Sequence, residues 1–278
     1  MTDSGEWTGR VGTAWAQEWQ RTDRSFAGLT RVLLDETRIG AFAAALDIGC
    51  GAGEVAVALA RAHRSAQVLG IDIAADLIAV ARIRGRGIAN LAFAEADAAD
   101  WSAGSGQRPD LLISRHGVMF FADPVAAFAQ LCAAAAPGAR LRFSCFRAPA
   151  DNAGVQALAA ALPPSQAVSD PHAPGPFAFA DCQRVSAILA AAGWAGIAFE
   201  PVDYEMIAGQ TEDPGEDAVD DALAYFQRIG PAARALAELP SAARPRALER
   251  LRAVIQDHHA DGLVAMSAAA WIVSACKR

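Results

Sequence analysis

The sequence predicts an α/β fold in which a doubly wound, mainly parallel sheet carries helices on both faces. From about residue 40 to residue 147, short runs rich in Val, Ile and Leu alternate with amphipathic runs of helical length. This alternation is typical of parallel strands joined by helices. The first predicted strand also ends in a glycine-rich turn. The chain has 278 residues, of which 53% are hydrophobic and 20% charged, enough for one large domain with a buried core.

The elements of the first half can be placed from this pattern. The apolar runs predict strands at 42–48, 67–73, 91–97, 110–116 and 139–147. The intervening runs predict helices at 54–63, 74–84 and 124–135. The last of these helices ends before Pro137 and Gly138, two residues that favour a helix stop.

The alternation is interrupted twice after residue 147. A proline-rich stretch at 148–180 and an acidic, then helical stretch at 208–261 are predicted to be insertions. Between them, a helix near 181–192 and a strand near 196–207 resume the pattern. We expect both insertions to overhang the substrate side, because such loops often carry binding residues.

We expect one domain that spans residues 1–278. Its predicted parts are an N-terminal helical cap or lid (1–38), a binding core (39–147), the two substrate-side insertions (148–180 and 208–261) and a final strand (262–278).

Net charge and cysteine usage argue against several classes of function. A net charge of -7 and a pI of about 5.2 disfavour unaided nucleic-acid binding, which needs a basic surface. The five cysteines are scattered without Cys-x-x-Cys spacing, so neither a disulfide framework nor a structural zinc site is expected. The sequence shows no apolar run long enough for a membrane span and no signal-peptide core. We therefore expect a soluble, cytoplasmic protein, and a monomer and a homodimer fit equally.

The turn ALDIGCGAG at 45–53 places backbone N–H groups and bare Cα atoms where open α/β sheets bind ligands. A dinucleotide site would need its third glycine at position 54, which is Glu54, and this carboxylate also disfavours a pyrophosphate. A phosphate-binding loop would need Gly-Lys-Ser/Thr, but the chain's single lysine is Lys277. The ligand is therefore predicted not to bind through phosphate, and a nucleotide-dependent oxidoreductase becomes the weaker alternative.

Two aspartates at the ends of the next strands point to a nucleoside. Asp72 ends the second strand, where a carboxylate can accept both hydroxyls of a ribose. Asp97 ends the third strand and could accept a hydrogen bond from an adenine amino group. An isolated aspartate more often caps a helix or lies in a solvated loop, but the placement at successive strand ends favours a shared ligand.

Asp47, the three glycines of the turn, Asp72 and the pair Asp97-Ala98 together resemble the successive motifs of class I S-adenosylmethionine-dependent methyltransferases. The chain is similar in particular to the quinone-biosynthesis-like small-molecule methyltransferases, over most of its length. This resemblance implies a Rossmann-like, doubly wound, seven-stranded sheet whose last strand is antiparallel. It also implies S-adenosyl-L-methionine as the methyl donor and S-adenosyl-L-homocysteine as the product.

The same resemblance implies roles for single residues. Gly49 and Gly51, in the turn completed by Gly53, would pass beneath the methionine part of the donor. Asp47 would anchor the turn or bind the amino group. The other expected contacts are Asp72 with the ribose, Asp97 and Ala98 with adenine, Ile73 as an apolar wall beside adenine, and Ser114 and Arg115 near the methionine end.

Catalysis should depend chiefly on alignment, because a sulfonium already makes its methyl group electrophilic. His116, after the fourth strand, is the candidate general base for a protonated acceptor; packing of its ring beside the donor is the alternative. Trp15 and Trp19 share one face of a predicted helix, as a lid over the sulfonium or as a docking surface. Met119 and Phe120 are expected in the acceptor pocket.

The sequence therefore predicts a methyltransferase that acts on oxygen or carbon of a small-molecule acceptor. A methyltransferase for a peptide or protein carboxylate and a non-catalytic nucleoside-binding relative stay open as alternatives. No metal is expected, because the adjacent His258 and His259 cannot share one face of a helix.

Overall fold

The computed structural model describes residues 4–104, 106–163, 170, 172–211 and 217–278. Within these residues, eight strands form a single sheet. The strands are β1 (Ala44–Ile48), β2 (Gln67–Asp72), β3 (Leu91–Glu95), β4 (Leu111–Arg115), β5 (Arg140–Phe146), β6 (Trp194–Gln210), β7 (His259–Ala260) and β8 (Leu263–Lys277). Their order across the sheet is β3-β2-β1-β4-β5-β8-β6, and the short β7 pairs with β8.

Strands β1 to β5 run parallel, whereas β8 lies antiparallel between β5 and β6. The predicted Rossmann-like sheet with an antiparallel last strand is therefore confirmed. The two-residue β7 is an addition that was not predicted. It forms because Asp261 and Gly262 both have positive φ, 50° and 77°, and make a two-residue hairpin turn into β8.

The helices cover both faces and one end of the sheet. They are α1 (Ser4–Trp7), α2 (Arg10–Gln17), α3 (Trp19–Leu33), α4 (Glu36–Ile39), α5 (Glu54–Ala62), α6 (Ala75–Arg84), α7 (Pro124–Ala134), α8 (Ala153–Ala160), α9 (Cys182–Ala191), α10 (Ala218–Phe226), α11 (Gly230–Glu238) and α12 (Arg244–Asp257). Two 3-10 turns follow β4 and β5, at Val118–Phe120 and Pro149–Asp151.

Each face of the sheet has its own apolar core, and β1 contributes to both. Leu46 and Ile48 pack in the core that contains α7 and α9, whereas Ala45 packs on the other side with α3 and α5. Alternate residues of a strand point to opposite faces, so a strand covered on both sides is apolar nearly throughout. In β1 the exception is Asp47, which is buried near the carboxyl end of the strand.

The ends of β6 and β8 extend beyond β5 and carry a separate helical layer. β8 pairs with β5 between Ala270 and Cys276, but its pairing with β6 continues to Leu263. Helices α8, α10, α11 and α12 pack on this extension around a third core. β6 therefore ends at Gln210, inside the predicted insertion 208–261, because β8 still supplies backbone partners there.

Candidate functional site

A cavity of about 630 Å3 lies at the carboxyl ends of β1, β2 and β4. Its walls are the glycine turn after β1, the loops after β2, β3 and β4, and the tryptophans of the N-terminal helices. The place follows from the topology: β1 is hydrogen-bonded to β2 on one side and to β4 on the other, so the loops after these strands meet at one edge.

All three glycines of the turn have a positive φ, but only two of them line the cavity. The φ angles are 62° at Gly49, 54° at Gly51 and 87° at Gly53. A Cβ on Gly49 would lie 2.9 Å from Cα of Gly117, whereas a Cβ on Gly51 would have nothing within 4 Å. Gly53 is the N-cap of α5, and a Cβ added there would lie 2.7 Å from the Phe93 ring. Gly53 therefore allows α5 to pack closely on β3, and it does not line the cavity as predicted.

Asp72 is held at the cavity wall by two backbone groups. Its Oδ2 accepts a hydrogen bond from the Gly51 N–H at 2.8 Å, and its Oδ1 accepts one from the Ala74 N–H at 2.9 Å. Burial raises the pKa of this carboxyl, and the backbone hydrogen bonds oppose that shift. A carboxylate has about four acceptor positions, so each oxygen keeps a free position for a hydroxyl of a ribose.

The residues predicted to surround adenine lie on two adjacent loops. Asp97 and Ala98 follow β3, Ile73 follows β2, and all three line the cavity. Asp97 is exposed, and its Oδ1 accepts a hydrogen bond from the Ala99 N–H at 2.8 Å, which fixes the turn. The Ala98 side chain is buried beside it.

Asp47 and Arg115 line the cavity as parts of a buried network of charges. Asp47 accepts a hydrogen bond from the Ala56 N–H at 3.0 Å. Burial raises the pKa of Asp47 to about 7, and the positive charge of Arg115 opposes this shift. Arg115 donates to the carboxylate of Glu54 and, at 2.9 Å, to Oγ1 of Thr30, so its guanidinium is already engaged.

Asp23 anchors α3 to this network and was missed by the sequence analysis. Its Oδ2 accepts a hydrogen bond from Nη2 of Arg84 at 2.6 Å, and its Oδ1 lies 3.8 Å from Nη2 of Arg115. The Arg84 guanidinium stacks 4.1 Å from the centroid of the Trp19 ring. Asp23 follows Trp19 by one turn of α3, whereas Trp15 lies on α2, which ends at Gln17. The prediction that Trp15 and Trp19 share one face of a single helix is therefore wrong.

Aromatic rings from the N-terminal helices and from the turn after β4 form one wall of the cavity. The Trp7 ring lies 5.6 Å from the Trp15 ring and 5.0 Å from the Phe120 ring, between centroids. Trp19 lines the same cavity, so the structure brings together three of the four residues predicted for the substrate pocket. Trp7 is an addition to that set, and its buried Nε1 has no hydrogen-bond partner within the described residues.

His116 lines the cavity as a neutral ring. It stacks on Phe146 with centroids 4.2 Å apart and meets Phe26 edge-on at 5.4 Å. Its Nδ1 lies 3.3 Å from Oγ of Ser144, while its buried Nε2 has no partner in the described part of the chain. Burial and the charge of Arg115 lower its pKa to about 3. This imidazole is suited to packing and hydrogen bonding, and is a weak base at neutral pH.

Ser114 and Met119, both predicted at the site, lie behind the cavity wall. Oγ of Ser114 donates to the Ile48 carbonyl at 2.6 Å and accepts a hydrogen bond from the Gly117 N–H at 3.2 Å. Ser114 therefore ties β4 to the end of β1. Met119 is only 1% exposed and packs in the core with α7 and α9, while its neighbour Phe120 lines the cavity.

The second insertion does not overhang the cavity, as far as its described residues show. Instead, it contacts α3, a helix that lines the cavity. Asp221 of α10 pairs with Arg21 at 2.6 Å and with Arg24 at 2.7 Å, both on α3. The first insertion reaches the cavity at Pro174.

The profile of the family described as "Methyltransferase domain" matches residues 42–181, half of the chain. The chain belongs to this family. The resemblance to methyltransferases is thereby confirmed. This methyltransferase-domain protein is 30% identical over 164 residues to a trans-aconitate 2-methyltransferase of Methylobacterium radiotolerans, a match that covers 57% of this chain and 58% of that relative.

Solved structures agree on the fold. Phosphoethanolamine N-methyltransferase 2 of Haemonchus contortus, in complex with phosphomonomethylethanolamine and S-adenosylhomocysteine, matches with a TM-score of 0.55 and 19% identity over 95% of this chain and 56% of that one. The YcgJ protein of Bacillus subtilis matches with a TM-score of 0.55 and 16% identity, and the match covers 90% of this chain and 97% of that one. The chain thus spans little more than half the length of the curated relative and of the N-methyltransferase. No helix among the described residues of this methyltransferase-domain protein is long and apolar enough to cross a membrane.

Proposed function

We propose that this protein transfers the methyl group of S-adenosyl-L-methionine to oxygen or carbon of a small-molecule acceptor and releases S-adenosyl-L-homocysteine. One observation carries the proposal: Asp72, the glycine turn and Asp97 meet on one cavity beside the rings of Trp7 and Trp15. The family match and the reaction named for the relative support the same chemistry.

The residues present fit the proposed donor. Asp72 keeps one acceptor position on each oxygen for the two ribose hydroxyls. Asp97 lies on the neighbouring loop, where it can accept a hydrogen bond from the adenine amino group. Gly51 leaves open space at the cavity, so the methionyl part can lie close to the backbone. The buried carboxyl of Asp47 lies at the same turn.

The chain's own residues would act chiefly by alignment. The bound sulfonium supplies an electrophilic methyl group, and holding an acceptor in line with it can contribute about 7–11 kcal/mol to lowering the barrier. The rings of Trp7 and Trp15 at the cavity wall would attract a cation and exclude water. The Trp19 ring already stacks with the Arg84 guanidinium. With a pKa of about 3, His116 would not retain a proton taken from the acceptor at neutral pH. Its ring, which stacks on Phe146, would act as part of the cavity wall.

We also infer a cytoplasmic location and a small molecule as the only partner that the reaction requires. The five cysteines are free thiols, which suits a reducing compartment. The net charge of -7 disfavours nucleic acid as the acceptor.

Calorimetry with S-adenosyl-L-methionine, S-adenosyl-L-homocysteine and NAD tests the proposal. We expect the sulfonium and its demethylated product to bind and NAD not to bind. Binding of NAD without binding of the sulfonium would overturn the proposal. Trans-aconitate, the acceptor in the relative's name, is the first acceptor to assay for formation of S-adenosyl-L-homocysteine.

A further inference from the structure

The cavity is rich in carboxylates and poor in cations. Its described lining contains seven acidic side chains and one basic side chain, Arg115, apart from the neutral histidine. Three of the carboxylates belong to the proposed donor site. Asp100 and Asp123 are exposed, and Asp23 and Glu54 pair with Arg115.

Arg115 is not available to an anionic acceptor. Its guanidinium donates to Glu54 and to Thr30, lies 3.8 Å from Asp23, and covers the Phe26 ring at 5.3 Å from the centroid. The residues outside the described ranges contain no Lys, Arg or His, so they add no basic side chain to the site. A carboxylate on the acceptor would therefore lose water without gaining a cation from this chain, among groups of its own charge. The sulfonium of the donor is the one positive charge that it would meet.

The wall of the cavity offers uncharged contacts instead. Trp7, Trp15 and Phe120 present apolar ring surface. The Nε1 of Trp7 and the Nε2 of His116 are buried polar atoms without a partner in the described residues. Such atoms are rare in native proteins. Both belong to rings that line the cavity, and neither carries a charge that would attract an anion.

We propose that the acceptor is an uncharged, largely apolar small molecule with a hydroxyl group, and not a polycarboxylate. This inference rests on the proposed function and concerns the same cavity. In the transfer, the hydroxyl oxygen forms a bond to the methyl carbon as the carbon–sulfur bond breaks. The electron pair of that bond stays on sulfur, and the hydroxyl proton passes to solvent. The protein would then differ in acceptor from the trans-aconitate 2-methyltransferase that it resembles.

Pairs of ligands that share a carbon skeleton and differ in charge test the inference on the full chain loaded with S-adenosyl-L-homocysteine. Methyl 4-hydroxybenzoate is compared with 4-hydroxybenzoate, and methyl 4-hydroxyphenylacetate with 4-hydroxyphenylacetate, by calorimetry. We expect the uncharged member of at least one pair to bind about 100-fold more tightly than its acid, since like charges that face each other at an interface are strongly unfavourable. Equal or tighter binding of both acids would overturn the inference, and so would failure of both uncharged members to bind.

Donor binding is measured first, which separates the two proposals. Failure to bind the donor or its product would refute the proposed function itself. Normal donor binding together with a preference for acids would refute only the inference about the acceptor.

Phe120→Arg adds a cation at the aromatic wall, and Phe120→Leu is its control. The preference is the ratio of the Kd of the acid to the Kd of its ester. We expect this ratio to fall at least tenfold in Phe120→Arg and to stay unchanged in Phe120→Leu. If Phe120→Arg still binds S-adenosyl-L-homocysteine normally but leaves the preference unchanged, this wall does not contact the acceptor and the inference fails.

Discussion

Replacement of Asp72 by alanine should weaken donor binding far more than it disturbs the fold. The carboxylate now accepts hydrogen bonds from the Gly51 N–H at 2.8 Å and the Ala74 N–H at 2.9 Å, and each oxygen has one position left for a ribose hydroxyl. Hydrogen bonds to charged groups contribute about 1.5–3 kcal/mol. The affinity for S-adenosyl-L-methionine and for S-adenosyl-L-homocysteine should therefore fall roughly 10–150-fold in Asp72→Ala, measured as Kd by calorimetry.

Asp110→Ala is the matched control for this experiment. Asp110 accepts hydrogen bonds from the Ala43 N–H at 3.0 Å and the Ala44 N–H at 2.8 Å, but it precedes β4 and does not line the cavity. Each variant thus removes a carboxylate that binds two backbone N–H groups, and both should lower the Tm. Only Asp72→Ala should change the Kd of the donor. Equal Kd values in the two variants would refute the assignment of Asp72 to the ribose.

Three other perturbations probe backbone strain, titration and the anchoring of the cap. Gly49→Ala should lower the Tm more than Gly51→Ala, because the new Cβ at position 49 would lie 2.9 Å from Cα of Gly117. At position 51 the alanine would add only the strain of a positive φ, about 1–2 kcal/mol. Equal Tm values for the two variants would contradict this. Burial lowers the pKa of His116 from 6.5 to about 3, so between these pH values the unfolded chain binds a proton on this imidazole that the folded chain does not. The free energy of unfolding should therefore decrease as the pH falls from about 6.5 to about 3. Denaturant titrations should show this part of the pH dependence in the parent protein and not in His116→Phe. Asp221→Ala removes the partner of two arginines on α3, so hydrogen exchange in α3 should accelerate and donor binding should weaken by about 1 kcal/mol. Unchanged exchange in α3 would show that the second insertion does not anchor the cap.

The strands around the cavity were predictable because burial on both faces leaves a local signature. β1, β2 and β4 lie within the apolar runs predicted at 42–48, 67–73 and 110–116. Once these strands are parallel and adjacent, the residues that follow them must meet at one edge. The glycine turn, Asp72 and Asp97 are at this edge for that reason.

Two further features, a hairpin turn and an aspartate of the N-terminal helices, also have a local sequence signal. The Asp261–Gly262 pair is a strong hairpin signal, and it forms the turn between β7 and β8. Asp23 lies one helical turn after Trp19 on α3. In both places the signal lies in residues that are close together in the chain.

The amino-acid sequence by itself determined the sheet, the edge at which the cavity lies and the family, because these depend on the spacing of residues close together in the chain. Only the tertiary structure decided which residues of that edge reach the cavity. Ser114 turns to the Ile48 carbonyl, and His116 is kept neutral by burial and by the charge of Arg115. The second insertion contacts α3 through Asp221 instead of covering the acceptor. Burial, hydrogen-bond partners and pKa values depend on atoms that packing brings together from distant parts of the chain, and no local pattern encodes them.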